Sequence, residues 1–193
     1  MRWFLGITVG IIAAVMVYVA TLAYSLSELA SAARDGDGAK VLERTNVRAL
    51  NHSLTHQIVS AYLERIGAKR TVSPMEKTLI NAYGATIADA MVAKMLTPER
   101  LTQLLKTGKV EGAGDLPSLS GMPTLAGLDT GLSALGRVSF IQPVLLGVRV
   151  SDSTAPDDYA AIHLHFEDFG WKLAGMELPK AAVRALAANL PVR

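Results

Sequence analysis

The chain contains no cysteine. That excludes disulfides, thiolate metal sites and a cysteine nucleophile, and it fits either redox compartment. Charge bias is absent too. Lysine and arginine number 19 and aspartate and glutamate 17, and their signs are interspersed. No basic block points to nucleic acid, and no acidic tail points to a cation sink. Familiar catalytic signatures are missing. His52 is followed by Ser53, so HEXXH does not occur, and neither Gly-x-Ser-x-Gly nor the phosphate-cradling Gly-x-x-x-x-Gly-Lys is present.

A further absence is local. Between Arg2 and Glu28 there is no charged residue at all. As a helix rising about 1.5 Å per residue, this stretch is long enough to cross an apolar layer of about 30 Å with some tilt. A helix also satisfies its own backbone amides where lipid offers no partner. Trp3 and Tyr24 lie near its ends, where amphipathic rings favour the interface. The competing expectation is a cleavable signal peptide, with Ala30-Ser31-Ala32 as the small-x-small site. Such peptides have an apolar core of roughly 7–15 residues, and the core here is longer, which favours an uncleaved anchor over 1–27. Arg2 before the span predicts a cytoplasmic N-terminus and a periplasmic domain. Gly6, Gly10 and Ala14 form a small-xxx-small row that would let two membrane helices pack closely as a homo-oligomer.

The remaining residues, 28–193, predict one soluble α+β domain. Its helical part spans 28–106. Helix continues from Ser25 to Arg34 and breaks at Asp35-Gly36-Asp37-Gly38. After a short piece from Ala39 to Arg44, Val47 to Ile66 is amphipathic, with Val47, Leu50, Leu54, Ile58, Tyr62 and Ile66 on one face and Gly67 as the stop. Ser73-Pro74 opens a helix running to about Leu96. Its apolar stripe is Leu79, Tyr83, Ile87 and Met91, and its many alanines allow close approach. Thr97-Pro98 starts another helix that ends near Lys106.

The stretch 107–135 is rich in glycine and proline, yet Leu116, Leu119, Met122, Leu125 and Leu128 recur every three residues. It reads as an irregular segment wrapping the domain's own core, with a lid or a lipid- or partner-contacting patch as the alternative. From 136 the pattern becomes β. Val138 to Val150, interrupted by Pro143, then Tyr159 to Phe166 and Trp171 to Leu178, predict a three-stranded antiparallel meander. Ser153 to Asp158 forms a turn. In Tyr159–Phe166, Ile162, Leu164 and Phe166 share one face and His163 and His165 the other. Pro179 begins a final helix with Val183, Leu186 and Leu190 on one face. Helices first and strands later argue for helices packed on one side of a small sheet.

Several landmarks in this order resemble a bacterial domain-of-unknown-function family, number 2939. They are Tyr24 with Leu29, the Asp35–Asp37 turn, Ser53-Leu54 and Gln57, Thr97-Pro98 with Leu101 and Leu104, and the closing Trp171-Lys172-Leu173 and Leu178-Pro179. The closing strand is the most specific of them. Where the family has an acidic residue and then an arginine at the start of the long helix, this chain has Asn46 and Asn51. The resemblance implies a bacterial envelope setting and supplies no activity.

Four histidines are the candidate metal ligands. His52 and His56 lie four apart on a helix, and His163 and His165 two apart on a strand, so each pair shares a face and could chelate a transition metal. Opposing this, His52 and His56 fall opposite the apolar stripe, and the strand pair alternates with core residues, so both pairs are read as facing water. Glu167 and Asp168 are neighbours in a strand and point apart, which is poor geometry for an acid–base pair. Asp157-Asp158 is accounted for by a solvated turn. The sequence therefore predicts no catalytic residue and no cofactor. It favours a non-catalytic binding or structural module held at the membrane, with an unknown envelope protein or lipid as partner. The alternatives are a ligand-pocket domain or enzyme of unknown substrate, or a histidine metal site.

Overall fold

The computed structural model describes residues 2–107, 136–151, 155 and 158–188. The glycine- and proline-rich stretch with its leucine stripe, from 108 to 135, lies outside the described residues. So do most of the 153–158 turn, Asp157 included, and Leu190 of the final helix.

The chain begins with one unbroken helix, α1 (Arg2–Arg34), of 33 residues. No glycine or proline interrupts it after Gly10. Its two halves differ. From Gly6 to Val17 the side chains are exposed, whereas Leu22, Ser25, Leu26, Leu29, Ala30, Ala32 and Ala33 are buried. The buried positions recur at threes and fours, which makes them one stripe of the helix.

The helix ends at Gly36, whose φ of +66° is the left-handed conformation that glycine adopts without a Cβ penalty. Asp37 then caps α2 (Gly38–Glu43), its carboxylate accepting the Lys40 amide at 3.1 Å. That hydrogen bond holds the Asp37 carboxyl below the usual aspartate range. Next come α3 (Val47–Gly67), α4 (Pro74–Met95) and α5 (Pro98–Thr107). Asn46 caps α3 by accepting from the Ala49 amide at 3.0 Å, and Ser73 caps α4 by accepting from Glu76. Gly38 permits α2 and α5 to touch: a Cβ there would lie 2.4 Å from the Pro98 carbonyl oxygen.

The sheet has four strands rather than the three expected: β1 (Val138–Gln142), β2 (Leu145–Arg149), β3 (Ala161–Glu167) and β4 (Gly170–Glu177), antiparallel in the order β1-β2-β3-β4. The extra strand follows from Pro143. Its ring fixes φ and removes the amide donor, so it cannot continue a ladder. Instead the chain reverses at Pro143-Val144, and Gln142 pairs with Leu145 across the turn. A last helix, α6 (Lys180–Ala188), follows β4.

One core cluster joins the buried stripe of α1 to Val41, Leu50, Leu146, Val148, Ile162, Leu164, Trp171 and Leu173. A second joins Ile58, Val59 and Tyr62 of α3 to Ala88 and Val92 of α4 and to Val183, Leu186 and Ala187 of α6. The expected stripe of α4 is corrected here. Leu79, Tyr83 and Ile87 are exposed, and of the four only Met91 packs on the second cluster. Val59 of α3 lies within 4 Å of the space above Gly84, and Ala88 is fully buried, so the face with the small residues packs and Leu79, Tyr83 and Ile87 point outward.

The open edge of β4 is covered. Leu173 exchanges backbone hydrogen bonds with Arg44 and Asn46. Further along, Gln57 donates to the Met176 carbonyl at 2.5 Å and accepts from the Leu178 amide at 3.0 Å. One amide side chain thereby imitates the next strand and closes an edge that would otherwise invite pairing. Replacing Gln57 with leucine leaves both backbone groups without this partner, and denaturant unfolding of the full chain in detergent should register a loss of about 1–3 kcal/mol.

Candidate functional site

The two halves of α1 join each other beside one end of the sheet. The turn between β1 and β2 and the turn between β3 and β4 lie at that same end, because alternate strands of an antiparallel meander run in the same direction. Here Ser25 accepts a hydrogen bond from the Trp171 amide at 3.2 Å in a buried setting. Tyr18, one helical face further out, donates its hydroxyl to the Pro143 carbonyl at 2.7 Å. Its ring meets Trp171 edge-on with centroids 5.1 Å apart and stacks on Phe140 at 6.3 Å. Phe166 closes the group against Trp171 at 5.3 Å. Aromatic pairs in these geometries contribute beyond their buried area. Trp171 is among the largest fully buried side chains.

Beyond this cluster the end of the sheet is apolar and exposed. Phe140, Ile141 and Val144 flank the first turn. The second turn consists of Asp168 and Phe169, between the paired residues Glu167 and Gly170. Both have positive φ, 51° and 61°, the pattern of a type I′ hairpin turn. Such positions suit asparagine or glycine, and a bulky side chain there is an outlier. Phe169 is nonetheless 95% exposed. Lys172 reaches Asp168 at 2.7 Å and Glu167 at 3.4 Å. The Lys172 hydrogen bond holds the Asp168 carboxyl below its usual range, and Asp168 raises Lys172 in turn.

The histidines expected as ligands lie elsewhere. His52 and His56 are exposed on α3. His163 and His165 are half-buried on the sheet face away from the α1 core, as their alternation with Ile162 and Leu164 requires. His163 Nε2 faces Glu177 Oε1 at 3.1 Å, and His165 Nδ1 lies 3.8 Å from Glu167. Two glycines, Gly147 and Gly175, flank His163 across the sheet. Among the described residues no group of three or more histidine, aspartate or glutamate side chains converges as a metal site. Glu167 and Asp168, expected to point apart, both reach the Lys172 ammonium, because Asp168 lies in the turn and not in the strand. Glu167 receives a 3.0 Å hydrogen bond from Asn46, while Asp168 sits in the turn. Gly6 and Gly10 lie on the exposed half of α1, with open space where a Cβ would stand.

Sequence reasoning missed the junction itself. The available signal was Ser25, a polar residue in register with Leu22 and Leu29 on an otherwise apolar stripe. Its partners in the last third of the chain had no local signature. Trp171→Ala should cost about 3–5 kcal/mol in denaturant unfolding of the full chain in detergent, as expected for a large buried side chain. Tyr18→Phe, which removes only the hydrogen bond to Pro143, should cost about 0.5–1.5 kcal/mol.

No curated protein and no solved structure matches the chain. One family model does, over residues 11–104, under the description Protein of unknown function (DUF2939). The matched stretch holds Leu29, the Asp35–Asp37 turn that ends α1, Gln57 that closes the β4 edge, and the Thr97-Pro98 start of α5; Trp171-Lys172-Leu173 lies beyond it. Residues 11–104, which take in α1 from Ile11 onward, the capped turn and the edge-closing glutamine, match the DUF2939 family.

Proposed function

We propose that this is a single-pass protein of the bacterial inner membrane, in which an uncleaved N-terminal helix holds a periplasmic α+β module with a non-catalytic binding or structural role. The observation that carries this reading is the continuity of α1. Among the described residues, Gly6–Arg34 is the one helix long and apolar enough to cross a membrane. Its second half is also a wall of the domain core. A peptidase cutting after Ala32 would remove Leu22, Leu26 and Leu29 from that core. At roughly 1.5–3 kcal/mol for each buried leucine, the loss is about 5–9 kcal/mol, comparable to the whole stability of a typical domain. The core thus argues against cleavage at Ala30-Ser31-Ala32, and it does so independently of the length of the apolar run.

The module's role is read from its chemistry. Charge is balanced, and the histidines pair singly with carboxylates instead of converging. The partner in this reading is an envelope protein or lipid close to the membrane, since α1 leaves the domain little freedom to move away. Within the bilayer, the exposed row of Gly6, Gly10 and Ala14 is offered as the face on which a second copy would pack.

In isolated membranes the full-length chain should stay in the pellet after carbonate washing, and its mature terminus should lie before Tyr18. Release by carbonate, or a terminus beyond Ala32, would overturn the anchor. Because the chain has no cysteine, single substitutions report sidedness and association cleanly. Lys69→Cys should react with an impermeant maleimide added from the periplasmic side, and Ala14→Cys should form a cross-linked dimer. A monomer under the same oxidant removes the self-association part alone.

A further inference from the structure

We infer that the hairpin end of the sheet, Phe140, Ile141, Val144 and Phe169, is a lipid-contacting surface that inserts into the bilayer interface beside the helix. The inference rests on the anchor reading and adds to it where the domain itself touches the membrane.

The first ground is length. Between Trp3 and Tyr18, the first residue of α1 packed against the sheet, the helix rises roughly 23 Å. The apolar layer of a bilayer is about 30 Å thick. A helix standing upright therefore reaches the far side of the layer about a turn beyond Tyr18, and tilting shortens its reach further. Tyr18 is fastened to the first hairpin through Pro143 and Phe140. The sheet end cannot hang clear of the lipid while the helix spans it.

The second ground is composition. The side chains at that end are those lipid accommodates. Phe140 is 70% exposed, and Ile141 and Val144 are exposed beside it. Phe169 at the neighbouring tip is almost fully exposed on a positive-φ backbone. A turn that needed only to reverse the chain would be relaxed with asparagine or glycine. Here the fold accepts an unfavourable backbone and displays an aromatic ring that is almost wholly exposed among the described residues. Aromatic rings are favoured at the membrane–water boundary.

The third ground is charge. The ionised groups at the tips are Glu167, Asp168 and Lys172, and Lys172 is paired with both acids. Among the described residues at the tips no unpaired cation awaits an anionic headgroup, so the contact is apolar insertion. Zwitterionic lipid suffices, and added salt should leave it unchanged.

The test uses full-length protein reconstituted in phosphatidylcholine vesicles, with a single cysteine carrying an environment-sensitive fluorophore and with brominated lipids as quenchers. Phe169→Cys reports the tip and Ala13→Cys the middle of the exposed helix. Lys69→Cys reports the turn after α3, at the far end of the domain. The label at 169 should be quenched several-fold more than the label at 69, by bromines placed near the headgroups and equally in low and high salt. The label at 13 should respond to deep bromines. Thermal unfolding of Phe169→Cys should match the parent, since the ring is exposed, so misfolding would be seen separately. A label at 169 as solvent-exposed as the label at 69, with 13 still quenched, overturns this inference and leaves the anchor standing. Loss of quenching at 13 overturns both. Shielding at 169 that grows with protein density and ignores bromine also overturns it, and points to a protein partner.

Discussion

Burial of the second half of α1 beneath Trp171 is the constraint on which the rest depends. Ser25 ties the helix to the start of β4 through the Trp171 backbone, and Leu22, Leu26 and Leu29 fill the space between helix and sheet. Three consequences follow from this one packing. The helix cannot be removed without opening the core. The sheet is oriented relative to the helix axis, since Tyr18 and Phe140 meet in a defined geometry. And the apolar run read as an anchor does two jobs in two solvents, one half against protein and the other bare.

The second organising feature is the treatment of the sheet's edge. An antiparallel sheet of four strands has two edges, and exposed edges are liabilities for association. On the β4 side, residues 44–46 and then Gln57 take up backbone groups that would otherwise be open. Gly175 lies where the added Cβ would press on Ser53 and His163, so α3 can run close alongside. The long helix, the sheet and α6 are thereby locked around the second core cluster, while α2 and α5 meet at Gly38.

Much of this was legible in the sequence, and the failures have physical causes. Capping residues and apolar periodicity located the helices, because these signals are local. Ile162 and Leu164 against His163 and His165 were correctly sided, because strand alternation is strict. The α4 stripe was misread because periodicity identifies an apolar face without saying which face packs. Gly84 and Ala88 carried the contact, and their small size, not their hydrophobicity, was the signal. Pro143 was read as an interruption that marks an edge or a bend; whether a proline bends an edge or reverses a chain depends on the strand it returns to. The junction of Tyr18, Ser25, Phe140 and Trp171 could not be found locally, since its members are drawn from opposite ends of the chain. Phe169 carried no warning either, because the sign of its φ is set by the hairpin it turns and not by its own residue type.

The uninterrupted course of α1 also bears on motion. Many domains tethered to a surface hang from glycine- or serine-rich chains and sweep out a hemisphere. From Ile11 to Arg34 this chain has neither a glycine nor a proline swivel, and the domain starts before the helix ends. A rotation or a piston displacement of the outer half must therefore turn or lift the sheet by the same amount, with no slack to absorb it. The histidine-bearing face keeps a constant bearing to the helix axis, like a vane fixed to its mast.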